Sequence, residues 1–167
     1  MEPLVDTVCE DPRWEGFGLA ARADAAAGAA LAALGLAPEG LALCVMGCDD
    51  AHIAALNAAF RAKGQATNVL SWPSEDRAAE LAGAMPDLPE PGDAQDPESL
   101  GDIAIAWETC TREAQEQGIS FDAHVTHLIV HGVLHLLGFD HIDQSDAELM
   151  EATEVRILAS LGVADPY

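Results

Sequence analysis

The segment from Asp122 to Leu137 constrains this chain more than any other. It is strongly apolar, so as a helix it must bury most of its surface, and Gly138 ends it because glycine enters the left-handed backbone region without steric cost. Into this segment and the turn after it the chain places five of its six histidines, His124 to His141. In HGVLHLLGFDH, residues 131–141, His131 and His135 stand four apart and share one helix face. Two imidazoles so placed can grip one metal ion. The turn at Gly138 lets His141 fold back as a third ligand.

Three neutral nitrogens leave a zinc ion its full charge and an open fourth position, where a bound water is acidified to a pKa near ~7. A structural zinc site is more often closed by four ligands, frequently thiolates. The four cysteines, Cys9, Cys44, Cys48 and Cys110, lie far from the cluster in sequence. Their spacing matches neither a zinc finger nor a disulfide framework, so they read as small core residues of a cytoplasmic protein. His127 lies four residues before His131, and with His124 it is a candidate for supporting the ligands or touching substrate. Asp140 and Asp143 are candidates to accept the ligands' second N–H. The spacing is also similar to H-E-x-x-H-x-x-G-x-x-H of the metzincin proteases, but Gly132 stands where those carry the general-base Glu. The pattern supports a three-histidine hydrolase site and argues against a standard protease.

A chain of 167 residues, half of them hydrophobic, fits one domain spanning 1–167. Seven Lys and Arg against 29 Asp and Glu give a formal charge of -22, which excludes a generally basic nucleic-acid coat and a binder of anionic membranes. The opening MEPLVD lacks the regions of a signal peptide, and the apolar stretch 25–37 is too short to span a bilayer, so no membrane partner is expected. Residues 51–74 hold no acid yet contain Arg61 and Lys63, and 123–139 is the next longest acid-free stretch. Two explanations stay open. Either a surface is kept clear of negative charge for an anionic ligand, with Arg61 as a bidentate phosphate partner, or both stretches are core helices with little room for acids.

The remaining patterning predicts a strand within residues 1–10 and a helix from Asp11 to about Leu36. It predicts a buried strand over Leu41–Met46 and a helix from Asp49 or Asp50 to about Phe60. Strands follow over Thr67–Pro73, at an edge because of the proline, and over Gly101–Trp107. Glu80–Asp102, with seven acids, four prolines and no Lys or Arg, reads as a surface loop with one turn of helix at its start. Helices are predicted over Glu108–Gln117, Asp122–Leu137 and Ser145–Leu161, the last opened by a Ser145/Glu148 capping box. The irregular order of elements favours α+β: a small mixed β-sheet packed with several helices, a central one carrying the H-x3-H pair.

NAAFRAKGQATNVLSWP (57–73), LGDIAIAWE (100–108), HVTHLIVHGVLHLLGFDH (124–141) and ELMEATEVRILASLGVADPY (148–167) together resemble the bacterial YbeY-type endoribonucleases. The likeness runs in order over most of 41–167 and more loosely over the N-terminal third. It implies a single-domain enzyme with one zinc ion on His131, His135 and His141, and a catalytic Arg61. It further implies single-stranded ribosomal RNA as substrate, with roles in 3′-end maturation of small-subunit (16S) ribosomal RNA and in ribosome quality control. The implied partners are the small subunit, its proteins or a ribosome-associated GTPase. This chain departs from the family in its longer acidic, proline-rich stretch 83–99 and in its extreme charge. Two other functions fit the same residues: a non-catalytic ribosome assembly factor with a structural metal, and a zinc hydrolase of another substrate.

Overall fold

The computed structural model describes residues 4–61, 64–79, 81–93 and 95–167, with Phe60 and Arg61 described by their helical backbone only. Its centre is a four-stranded sheet of order β1-β2-β4-β3, built from β1 (Val5–Cys9), β2 (Leu41–Cys48), β3 (Val69–Pro73) and β4 (Glu98–Ala106). β1, β2 and β4 run parallel, and β3 pairs antiparallel to β4 at the edge. The sheet is therefore mixed, and the strand ending in Pro73 lies at the edge, where a residue without an N–H costs no ladder bond.

Side chains alternate across the strands, so each face buries its own core. Leu43 and Val45 of β2 and Ile103 and Ile105 of β4 join the larger core. Cys48, Ala104 and Ala106 join the smaller one, beneath Ile53 of α3 (Asp50–Arg61). The larger core is covered by α2 (Leu19–Ala33), α5 (Phe121–Leu136) and α6 (Gln144–Ser160). α5 also touches α4 (Trp107–Gln117), β3 and β4, which accounts for its apolar sequence. It lies so close to β4 that a Cβ on Gly132 would sit 3.0 Å from Ile103 Cδ1. Gly132, where the metzincins carry Glu, thus faces the sheet, and a side chain there would start in tight contact with Ile103.

The helix expected over 11–36 is two helices. α1 (Pro12–Phe17) stops at Gly18, whose φ of 88° starts a new direction for α2. The break lets Trp14 enter the core fully buried, with Nε1 donating to Cys48 O at 2.9 Å. Gly47 makes the room, since a Cβ there would lie 2.5 Å from the indole.

Three further expectations are corrected. β4 begins at Glu98, inside the segment expected to be loop, because Gly40 O accepts from the Glu98 N–H at 2.8 Å and sets the strand in register with Leu41. The turn of helix expected near residue 80 is, among the described residues, a single hydrogen-bonded turn that does not continue as helix, closed by Ala84 N–H donating to Leu81 O. α6 is capped by Asp143, whose Oδ1 accepts from the Ser145 N–H at 2.9 Å, not by a Ser145/Glu148 box. Of the cysteines, Cys48 and Cys110 are buried while Cys9 and Cys44 are only half-buried, and all four are free. Burial pushes the Cys48 thiol up to about 12, so it is inert at neutral pH. No helix among the described residues is long and apolar enough to cross a membrane.

Candidate metal centre

α5 begins at Ser120, whose hydroxyl accepts from the Ala123 N–H at 3.0 Å, and ends after Leu136. His131 and His135 lie on its last two turns, both half-buried. Gly138 then takes a φ of 103° against the carbonyl of Arg77, where a Cβ would meet the oxygen at 2.4 Å. The reversed chain carries His141 back over the helix end, and Asp140 Oδ1 fixes the turn by accepting from the His141 N–H at 2.7 Å. The ring centroids of His141 lie 5.4 Å from His131 and 5.0 Å from His135. One nitrogen from each of the three rings falls within 4.8 Å of the other two.

The hydrogen bonds behind the rings decide what the facing nitrogens can do. His131 Nδ1 donates to Glu154 Oε1 at 2.5 Å, and His135 Nδ1 donates to Phe139 O at 3.0 Å. Neither acceptor can supply a proton, so in the neutral rings both Nδ1 atoms carry one and both Nε2 atoms are bare. Those Nε2 atoms face each other at 3.0 Å. Two lone pairs in that arrangement repel unless a cation lies between them. Burial, followed by the nearby rings of His131 and His141, lowers the His135 pKa to about 4, which keeps the lone pair free at neutral pH. Three imidazoles with no thiolate among them suit a first-row divalent ion such as zinc and leave it a vacant position.

Glu154 is the part of this centre that the sequence conceals. It comes from α6, 23 residues after His131, and is 0% exposed. Its trace in the sequence is an acid on the apolar stripe of α6, between Met150 and Ile157, where a charge needs partners to be tolerated. Burial would raise its pKa, but hydrogen bonds from His127 and His131, the charge of His131 and the hydroxyl of Tyr167 outweigh that and hold it at about 2. His127 therefore supports the centre through Glu154, donating from Nε2 to Oε2 at 3.1 Å. His124 lies elsewhere, buried with Nε2 3.0 Å from Glu113 Oε1. Behind His131 and His135 the acceptors are Glu154 and Phe139 O rather than Asp140 or Asp143, whose Oδ1 atoms accept from the backbone N–H groups of His141 and Ser145.

The centre opens into a cleft of about 930 Å³ between the end of α5 with its following turn and the edge strand β3 with the chain after it. The acid-free window 51–74 supplies Asn68 to Ser71 of the cleft wall, while Ile53 and Asn57 on its helix are buried. Part of the window is thus core helix and part is cleft wall. The cleft is not free of acids, for Glu75, Asp76 and Asp140 also line it. Arg77 lines it too but is 6% exposed, with Nη1 donating to Leu136 O at 3.2 Å and Nη2 to Glu98 Oε1 at 3.4 Å. That guanidinium is spent on closing α5. Arg61 is the last residue of α3; its side chain, and Lys63 altogether, lie outside the described residues.

The family described as Endoribonuclease YbeY matches residues 18–162. Endoribonuclease YbeY of Cereibacter sphaeroides is 66% identical over 167 residues, covering 100% of both chains. That of Ruegeria pomeroyi is 56% identical over 163 residues, covering 98% of this chain and 97% of its own. A solution structure from Thermotoga maritima superimposes with a TM-score of 0.56 at 17% identity over 97% of both chains, a likeness of fold alone. Matched by the family over nearly its whole length, and by full-length relatives at such identity, this chain belongs to the endoribonuclease YbeY family.

Proposed function

We propose that this chain cleaves single-stranded RNA with one zinc ion held by His131, His135 and His141, in 3′-end maturation of 16S ribosomal RNA and in ribosome quality control. As a member of an endoribonuclease family it is an enzyme that hydrolyses phosphodiester bonds. The observation that carries the metal assignment is the pair of bare Nε2 atoms facing each other at 3.0 Å, with His141 folded beside them. Bound zinc supplies a Lewis acid and an acidified water at its open position. The chain's own residues do the rest. Glu154 and Phe139 O hold the ligand rings by their Nδ1 protons. Arg61, at the end of α3, stabilises negative charge building on the phosphate. With Glu75, Asp76 and Asp140 on the cleft wall, attraction for RNA falls to Arg61 and Lys63 and to docking on a partner. A charge of -22 suits basic ribosomal proteins of the small subunit, and a ribosome-associated GTPase is a second candidate partner.

The test is cleavage of precursor ribosomal RNA, free and within ribosomal particles, by metal-loaded protein beside Arg61→Ala. Cleavage lost in the variant supports the proposal. Equal cleavage by both overturns the role of Arg61. No cleavage by either, on particles as well as free RNA, favours an assembly factor with a structural metal. Turnover of a different model substrate instead favours a zinc hydrolase of another class.

A further inference from the structure

α6 carries the chain roughly 9 Å beyond Glu154 before it ends at Ser160. The residues that follow then turn back. Gly162, at φ 76°, donates its N–H to Ala159 O, and Val163 N–H donates to Leu158 O, which reverses the direction. The returning segment brings Tyr167 to Glu154, 13 residues earlier, where its hydroxyl donates to Oε2. The same hydroxyl lies 3.3 Å from His127 Nε2, and the two rings meet edge-on with centroids 5.7 Å apart. Tyr167 is 60% exposed, so packing does not explain its position, and the hydroxyl end is what ties it down. Within α6 the buried carboxylate thus has both oxygens engaged: Oε1 by His131, Oε2 by His127 and Tyr167.

We propose that Tyr167 is a positioning residue of the metal centre. With His127 it fixes the Glu154 carboxylate, whose other oxygen holds His131 in the orientation of a ligand. The segment after α6 is then part of the metal centre although it contributes no ligand. A carboxylate free to rotate about its last bond would share its oxygens unevenly and let the His131 ring swing. Held on both sides, it keeps the His131 Nε2 aimed at His135 and His141. This rests on the metal-centre assignment above, and the experiment separates the two.

Zinc affinity is measured on the full chain by competition with a chromophoric chelator, for wild type, His131→Ala, Tyr167→Phe, Glu154→Gln and the doubly substituted Glu154→Gln/Tyr167→Phe. The visible spectrum of the cobalt-loaded chain reports ligand geometry in parallel. Outer hydrogen-bond partners of metal-bound histidines typically contribute about 10–100-fold in affinity, so Glu154→Gln should weaken binding by that order. Tyr167→Phe should weaken it by a smaller factor, shift the cobalt spectrum and keep wild-type unfolding. The double variant should match Glu154→Gln alone, because the tyrosine acts only through the carboxylate. Unchanged affinity and spectrum in Tyr167→Phe, or effects that simply add, overturn the positioning role. A wild-type chain that binds no zinc, or His131→Ala that binds as well as wild type, overturns the metal-centre assignment instead. Since Tyr167 is largely exposed, its variant remains decisive even if Glu154→Gln fails to fold.

Discussion

Replacing Gly138 by alanine strikes the point where the fold makes the site. Gly138 adopts a φ of 103°, and an alanine Cβ there would lie 2.4 Å from Arg77 O. Holding an L-residue in such a conformation costs about 1–3 kcal/mol. Forcing atoms into filled space costs typically about 1–3 kcal/mol more. Arg77 cannot yield freely, since its guanidinium is buried and bonded to Leu136 O. The sum, roughly 2–6 kcal/mol, is a large part of the ~5–15 kcal/mol available to a domain. It corresponds to a fall in melting temperature of roughly 5–20 °C. Relief by moving the turn instead would displace His141, so zinc affinity should fall together with stability. Gly118→Ala is the control, because φ is 69° there but no atom lies within 4 Å of the added Cβ. It should show the backbone cost alone and normal zinc binding. Urea unfolding and zinc titration of both variants decide the matter. If Gly138→Ala were no less stable than Gly118→Ala and bound zinc normally, the argument that this close approach places His141 would be refuted.

His131→Ala should lose bound metal, measured by elemental analysis, while retaining its helical circular dichroism. Arg61→Ala should keep both zinc and fold yet lose RNA cleavage in a gel assay. The metal-free protein should lose stability as pH falls from about 6.5 toward about 4, because the unfolded chain binds the His135 proton that the folded chain refuses. Glu154 adds a loss of the same sign below its ordinary range, as pH falls from 4.5 toward about 2, with stability fully present above that window. Denaturant titrations across this range check both, and stability that rose on acidification would contradict them.

The sequence displays local features of this site and conceals those made by long-range contact. His131, His135 and Gly138 are legible because helical spacing and a helix stop are properties of neighbouring residues. The strands and helices are legible for the same reason, to within a few residues. The break at Gly18 is not, because it follows from where Trp14 must go, against Gly47 of the distant strand β2. The cap of α6 passes from Ser145 to Asp143 because two good capping residues stand close together and the incoming chain direction chooses between them. Glu154 and Tyr167 are distant from the histidines in sequence and reach them only through the packing of α6 on α5 and the reversal after it. The burial of Arg77 is likewise invisible in the sequence, because it follows from a bond to Leu136 O at the distant end of α5.

The most direct test of the account is the rate of RNA cleavage by the chain stripped of metal with a chelator, dialysed, and then reloaded with one equivalent of zinc. The account predicts that stripping abolishes cleavage and that one equivalent restores it in the wild type but not in His131→Ala. Full cleavage by the stripped protein would contradict it.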